Sequence, residues 1–261
     1  MRKHDIRSQG AAQAGLAAGE PDQGLAMVRC AHPRWCIRAF VAAAMLAWMA
    51  GSVGAQTDKT VAALRLVYGR ECNSKLHYGA YAERALSEGQ VVAALAFRTA
   101  AVGESVHAAH HAAHLEELGV VPAWTVESVV VRSTEENLCT AIQNEMNENK
   151  VVYRQIVDQM RGECEYDAMA SLNYARTAEG THAALFAEVL SELTEPSPSP
   201  GLRVAANAVR RDDRTIGVRF YVCTEDGSVF LHAIEGHRCP SCGCNKLKFR
   251  GMEIDHRLTV D

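Results

Sequence analysis

A chain of 261 residues with 48% apolar and 22% charged residues has the balance of a folded globular protein, long enough for one large domain or two smaller ones. The formal charge of −4 and the absence of a basic stripe argue against nucleic acid as a partner. Nine cysteines are spread unevenly, and the four between Cys223 and Cys244 suggest a metal knuckle more than a disulfide framework.

Residues 1–26 are rich in Gly, Ala and Gln and carry no usable periodicity. Arg29, Arg34 and Arg38 then precede an apolar run, Ala39 to Ala55, that closes on Ser52-Val53-Gly54-Ala55. A basic start, a short apolar centre and a small-residue end describe a secretory signal. The expectation is export, cleavage near Ala55 and a periplasmic location, with Met27 as an alternative start. A membrane anchor is the competing reading, but 17 mostly Ala-sized residues are short for a span. The domain plan is 1–55 extension and signal, 56–194 bundle, 195–215 linker, and 216–261 small C-terminal domain.

Val61, Leu64, Val67 and Leu76 keep helical spacing from Asp58 to about Leu86, and Gly89 punctuates the end. A second helix runs from about Val91 to Leu118. The stretch Val120 to Arg132, with Pro122 and Val129-Val130-Val131, reads as an extended crossover travelling the length of a bundle. Ser133 and Glu136 form a capping box for a third helix that continues to about Arg161. The fourth covers about Glu165 to Leu193. Glu195-Pro196-Ser197-Pro198-Ser199-Pro200-Gly201 then reads as a stiff linker.

Chemistry enters through a duplicated motif. Glu104-Ser105-Val106-His107 recurs as Glu179-Gly180-Thr181-His182, and three-residue spacing puts carboxylate and imidazole on one helix face. Glu71 lies 33 residues before Glu104, and Glu145 lies 34 before Glu179. Two helix hairpins, each offering one Glu and then Glu-x-x-His, supply the ligand set with which a four-helix bundle holds two iron or manganese ions. Glu148 adds a carboxylate facing the same way. Any single glutamate belongs more readily on a solvated face. Seven ligands in duplicated order do not, because a shared metal site is the one arrangement that would justify burying them.

The pattern Gly69-Arg70-Glu71, Tyr78, Glu88-Gly89, Glu104-x-x-His107, Asn137-Leu138, Ala141-Ile142, Glu145-x-x-Glu148, Tyr153 and Glu179-x-x-His182 resembles the rubrerythrin family over most of residues 58–193, and the likeness resumes at Phe220. The resemblance implies an all-α ferritin-like four-helix bundle followed by a small rubredoxin-like domain. It implies a non-haem centre of two iron ions that reduces hydrogen peroxide in oxidative-stress defence. It further implies that Glu148 lets one iron exchange a Glu for a His ligand, and that Tyr78 and Tyr153 hydrogen-bond the ligands. Tyr78 lies seven residues after Glu71 and Tyr153 eight after Glu145. Alone, either tyrosine reads as core packing. His110, His111 and His114 are expected in solvent or around the ligands. Cys72, Cys139 and Cys164 read as small core residues or as disulfide partners.

The C-terminal knuckle departs from the family pattern. Cys239-Pro240-Ser241-Cys242-Gly243 is intact, but Cys223-Thr224-Glu225-Asp226-Gly227 has Asp226 where a second thiolate is expected. The expected site is Cys223, Asp226, Cys239 and Cys242 around one Fe or Zn, with His232, His237 or Cys244 as alternative fourth ligands. Disulfides are the alternative in an oxidising compartment. Electron delivery through this domain is expected to be impaired or altered. The leading reading is a peroxide-reducing di-iron enzyme, with Glu148 relaying a proton, hydrogen peroxide or dioxygen as oxidant, an electron-donor protein and a homodimer as partners. The alternatives are a ferroxidase or iron-binding protein, and a non-enzymatic protein with structural metals.

Overall fold

In the computed structural model the described backbone covers residues 35–160, 166–194, 219–231, 238–245 and 248–253, with side chains described from Lys59 onward. The chain divides into two units, 1–48 and 49–261, and apart from the start of the first helix everything below concerns the second. Residues 1–34 of the N-terminal extension, the 195–215 linker, Cys30, Cys164, His232 and His237 lie outside the described residues, as does the side chain of Cys36.

Four long helical runs follow in order: α1 (Trp35–Ser87), α2 (Val91–Glu117), a third run, and α5 (Tyr166–Thr194). The third run comprises α3 (Thr134–Asn147), a π-helical turn (Glu148–Val152) and α4 (Tyr153–Met160). α1 begins at Trp35, well before the expected Asp58, because the Ala-rich run 39–55 is itself a strong helix former. Among the described residues, no helix is long and apolar enough to cross a membrane. Gly89 and Gly119 stand just beyond α1 and α2 with φ of 72°, a left-handed conformation that ends a helix at little cost when the residue is glycine. The Ser133–Glu136 capping box forms, and Glu88 accepts from Thr134 N at 2.8 Å, tying the end of α1 to the start of α3.

Two apolar layers brace the bundle. One gathers Tyr78, Tyr81, Phe97, Leu138, Leu185 and Phe186, with the Phe97 and Phe186 rings 5.2 Å apart. The other gathers Val67, Tyr153, Ile156, Met160 and Leu172. On α1, on the third run and on α5, the candidate ligands fall between residues of the two layers. A polar stratum is thereby sealed from water at both ends.

The C-terminal domain is a three-stranded antiparallel sheet of order β2-β1-β3, with β1 Arg219–Cys223, β2 Val229–Phe230 and β3 Phe249–Glu253. Tyr221 faces Phe230 on one side and Gly251 on the other. Phe220, Val222 and Val229 join the same apolar cluster as Tyr78 and Phe186, so sheet and bundle share a core. Val229 N also donates to Thr181 Oγ1 at 2.9 Å, next to His182 on α5.

Candidate metal centre

Six expected ligands converge in the polar stratum, all buried: Glu71 from α1, Glu104 and His107 from α2, Glu145 from α3, Glu179 and His182 from α5. They form two overlapping groups, Glu71-Glu104-His107-Glu179 and Glu104-Glu145-Glu179-His182, each with ligand atoms within 4.8 Å of one another. Glu104 and Glu179 belong to both. Glu104 turns Oε2 to His107 Nδ1 (3.3 Å) and Oε1 to His182 Nδ1 (3.3 Å). Glu179 likewise turns Oε1 to His107 (3.2 Å) and Oε2 to His182 (3.1 Å). Each therefore offers one oxygen to each half-site, the geometry of a bridge. Glu71 and Glu145 serve one half-site each, with Glu71 Oε2 3.6 Å from His107 Nδ1 and Glu145 Oε2 3.7 Å from His182 Nδ1.

Backbone acceptors fix the imidazole tautomers. His107 Nε2–H donates to the carbonyl of Asp226 at 2.9 Å and His182 Nε2–H to that of Gly227 at 3.0 Å. A carbonyl can only accept, so each Nδ1 turns inward toward carboxylates that also can only accept. Lone pairs aimed at lone pairs require cations between them. Both oxygens of Glu179 and Oε2 of Glu145 lack any hydrogen-bond partner, and buried carboxylates left so would cost several kcal/mol each. The donor set fits two hard-to-intermediate divalent metals, iron or manganese among them. Without metal, protons stand in. Burial above all, with the charge of Glu104, pushes Glu71 up to about 7; burial with the charge of Glu179 pushes Glu145 up to about 7. Burial alone would lower both histidines, but the surrounding glutamates hold them well above the ordinary imidazole range.

The two tyrosines act reciprocally. Tyr78 on α1 donates to Glu145 Oε1, and Tyr153 on α4 donates to Glu71 Oε1. Burial and the adjacent carboxylates raise both phenols well above their usual range, which keeps them protonated donors. Seven residues at about 100° each return almost to the starting direction, whereas eight overshoot by about 80°. The π-helical turn Glu148–Val152 absorbs the extra residue between Glu145 and Tyr153. The two halves thus match despite unequal spacing.

Glu148 does not join either group. Its Oε1 accepts from Arg70 Nε at 2.6 Å and pairs with the same guanidinium through Nη2, while Oε2 is buried without a partner. Burial foremost, against the pull of Arg70, raises its pKa to about 8.

In the knuckle the expected Asp226 is not among the clustered sulfurs. Cys223, Cys239, Cys242 and Cys244 gather within 4.8 Å, with Cys223 Sγ 3.8 Å from Cys242 Sγ and 3.4 Å from Cys244 Sγ. Sulfurs around one tetrahedral ion at about 2.3 Å lie about 3.8 Å apart. Cys244 therefore takes the fourth corner. Asp226 is fully buried and instead accepts from Ser228 N (2.9 Å) and from Cys239 Sγ (3.2 Å). Burial raises the thiols of Cys239 and Cys242 to about 11 and that of Cys223 further, and all six described cysteines are free. A bound cation would deprotonate the cluster outright.

The structure gives specific partners to residues that the sequence left open. His111 is buried, with Nε2 2.9 Å from the phenolic oxygen (Oη) of Tyr153, whereas His114 pairs with Glu117 at the surface. Since Tyr153 spends its proton on Glu71, His111 must donate from Nε2. One turn from His107 is the only signal in the sequence that marked it. Gly103 and Gly227 let the domains meet: a Cβ at Gly103 would lie 2.5 Å from His182 Nε2, and one at Gly227 2.4 Å from His107 Nε2. Arg70 was visible as the neighbour of Glu71, and Cys244 was one of the alternative fourth ligands expected for the knuckle.

Residues 63–190 match the family model described as Rubrerythrin. A curated relative, Rubrerythrin-2 of Clostridium acetobutylicum, is 29% identical over 192 residues, covering 72% of this chain and 94% of the relative. Solved structures of nigerythrin share the fold. One described as mixed-valence aligns with a TM-score of 0.60 at 21% identity, and one described as fully reduced, all ferrous, with 0.61 at 20%. Each alignment covers 74% of this chain and 86% of the nigerythrin chain.

Proposed function

Because this chain belongs to the rubrerythrin family, which points to a di-iron oxidoreductase, we propose that it reduces hydrogen peroxide. The observation that carries this reading is the pair of bridging carboxylates, Glu104 and Glu179, each with one oxygen at each inward-facing imidazole. Glu71, Glu104, His107, Glu145, Glu179 and His182 would hold two iron ions, which supply two electrons and Lewis acidity to a bound peroxide.

The residues of the chain do the rest. Peroxide reduction to two waters consumes two protons, and Glu148, with a pKa near 8 and a free buried oxygen, carries one at neutral pH. Tyr78 and Tyr153 hold the outer oxygens of Glu145 and Glu71, leaving the inner ones for metal. The two apolar layers keep bulk water from the stratum.

Electrons enter through the C-terminal domain in this reading, from a donor protein to an Fe or Zn-sized site of four thiolates; only iron there would be redox-active. Four sulfurs in reach favour a working entry point over the impaired one expected from Asp226 alone. A homodimer and an exported mature chain beginning near residue 56 complete the proposal, to be checked by light scattering and N-terminal sequencing.

The test is anaerobic reduction of the iron-loaded protein followed by stopped-flow mixing with peroxide or dioxygen. Reoxidation much faster with peroxide, and slowed in Glu148→Ala, is expected. Equal or faster oxidation by dioxygen, with iron accumulated, would replace the reading with a ferroxidase.

A further inference from the structure

The duplicated ligand motif contains one mismatch that the metal-centre reading leaves without a task. Four residues beyond His107 on α2 stands His111, and four beyond His182 on α5 stands Phe186. One turn along its helix, each meets the tyrosine of its own half-site. His111 Nε2 lies 2.9 Å from the phenolic oxygen of Tyr153, whereas the Phe186 ring packs edge-on against Tyr78 with centroids 5.1 Å apart. Phe97 and Tyr81 enclose Tyr78 further, at 6.2 and 6.3 Å. Aromatic walls hold one phenol, and a histidine holds the other.

A phenol has a single proton, and Tyr153 has two groups in reach that could take it: Glu71 Oε1 and, in one tautomer, His111 Nε2. With its proton on Nδ1, His111 would accept from Tyr153, and Glu71 Oε1 would lose its donor. Nδ1 of His111 is buried without a hydrogen-bond partner. A proton there would be a stranded buried N–H, whereas a bare Nδ1 strands only a lone pair, the milder of the two defects. The Nε2–H tautomer therefore wins locally. It fills the lone pair of the phenolic oxygen, leaves the phenol proton one destination, and polarises the O–H so that the bond to Glu71 is strengthened. With Oε1 held in this way, Glu71 presents Oε2 to the half-site of His107, 3.6 Å from Nδ1.

We propose that His111 is a positioning residue: by donating from Nε2 it commits the Tyr153 proton to Glu71 and so orients that carboxylate toward the metal of the His107 half-site. The proposal rests on the metal-centre reading. It makes the two half-sites unequal in support, since the Glu145–Tyr78 pair is held by packing and has no counterpart of His111 in the repeat. Loss of His111 then weakens one metal of the two.

Manganese(II) tests this without turnover, since it prefers carboxylate and imidazole to thiolate and so reports on the bundle rather than the knuckle. Binding is followed on the full chain through loss of the free aqueous Mn(II) paramagnetic resonance signal. The unsubstituted chain is expected to take up two ions. His111→Phe, which installs the residue of the other half, is expected to weaken the second ion by about tenfold or more, the usual cost of losing a group that orients a metal ligand. The first ion, entering the intact His182 half-site, is expected to change less than about threefold. His111→Gln offers an amide N–H in place of Nε2–H and is expected to keep both ions within about threefold. In zinc-loaded, diamagnetic protein labelled with 15N-histidine, the His111 resonances (those lost in His111→Gln) are expected to show a protonated Nε2 and a bare Nδ1.

Equal weakening of both ions in His111→Phe overturns the proposal, and so does no weakening. A loss in His111→Gln as large as in His111→Phe removes the donor role. Should His111→Phe fail to fold, the tautomer still decides, because a proton on Nδ1 of His111 is incompatible with the proposal. An unsubstituted chain that takes up no Mn(II) would sink the metal-centre reading itself, a different failure from the others.

Discussion

The Nε2–H of His107 donates to the main-chain carbonyl of Asp226 at 2.9 Å, so one hydrogen bond joins a candidate metal ligand of the bundle to the cysteine loop of the C-terminal domain. The parallel bond from His182 to Gly227 makes the contact two-pronged. Docking and imidazole orientation are therefore one structural fact. Whatever separates the domains also frees both rings.

Gly103→Ala tests that coupling. The new Cβ would sit 2.6 Å from the Gly227 carbonyl oxygen, a backbone atom that cannot swing aside. Overpacking of this kind costs about 1–3 kcal/mol. Thermal unfolding of the full chain should shift down while bundle helicity persists, and an unchanged transition would mean the glycines do not touch.

Cys244→Ser and Asp226→Asn should separate in the cobalt-substituted protein. Thiolate-to-metal absorption tracks the number of sulfur ligands, so Cys244→Ser should lose about a quarter of it. Asp226→Asn should keep it all. The reverse ranking would return the fourth corner to position 226.

Metal-free protein should lose stability as pH rises. Glu71 and Glu145 titrate near 7 and Glu148 near 8 in the fold, against 4.5 as ordinary glutamates, and His107 and His182 are also raised. The folded state then binds more protons than the unfolded one, so stability is full below about pH 4.5 and declines through pH 8. Denaturant titrations of metal-free protein at pH 5 and pH 8 should show the midpoint falling. Saturating metal should flatten this dependence, since cations replace the protons. A midpoint that rises with pH in the metal-free form would contradict the buried carboxylate cluster.

Tyr78→Phe and Tyr153→Phe should both destabilise the metal-free fold, by about 1–3 kcal/mol each for a stranded carboxylate oxygen. Tyr153→Phe should be the worse of the two, because it also strands His111 Nε2. Urea unfolding ranks them. Equal losses would show that His111 gains nothing from the contact.

Legibility in the sequence followed periodicity. The duplicated Glu-x-x-His with its upstream glutamates needs only helical geometry to be read, and six of the seven expected ligands meet as the spacing requires. Ser133–Glu136 and the glycines after α1 and α2 are equally local, and they form as expected. Glu148 was placed by the same arithmetic, but in this structure it pairs with Arg70 from another helix and stands outside both groups. Position 226 was read from a local frame as well, but three-dimensional closeness let Cys244 supply the sulfur.

The sequence by itself determined the helical bundle, the two-fold repeat of its donors and the chemistry those donors can support, since each follows from spacing along one helix. Tertiary structure decided which oxygen faces which imidazole, which nitrogen keeps its proton, where Glu148 rests and which sulfur closes the knuckle. Those choices depend on groups far apart in the chain. Their energies come from desolvation and charge pairing at contacts that exist only once the helices and the sheet have packed.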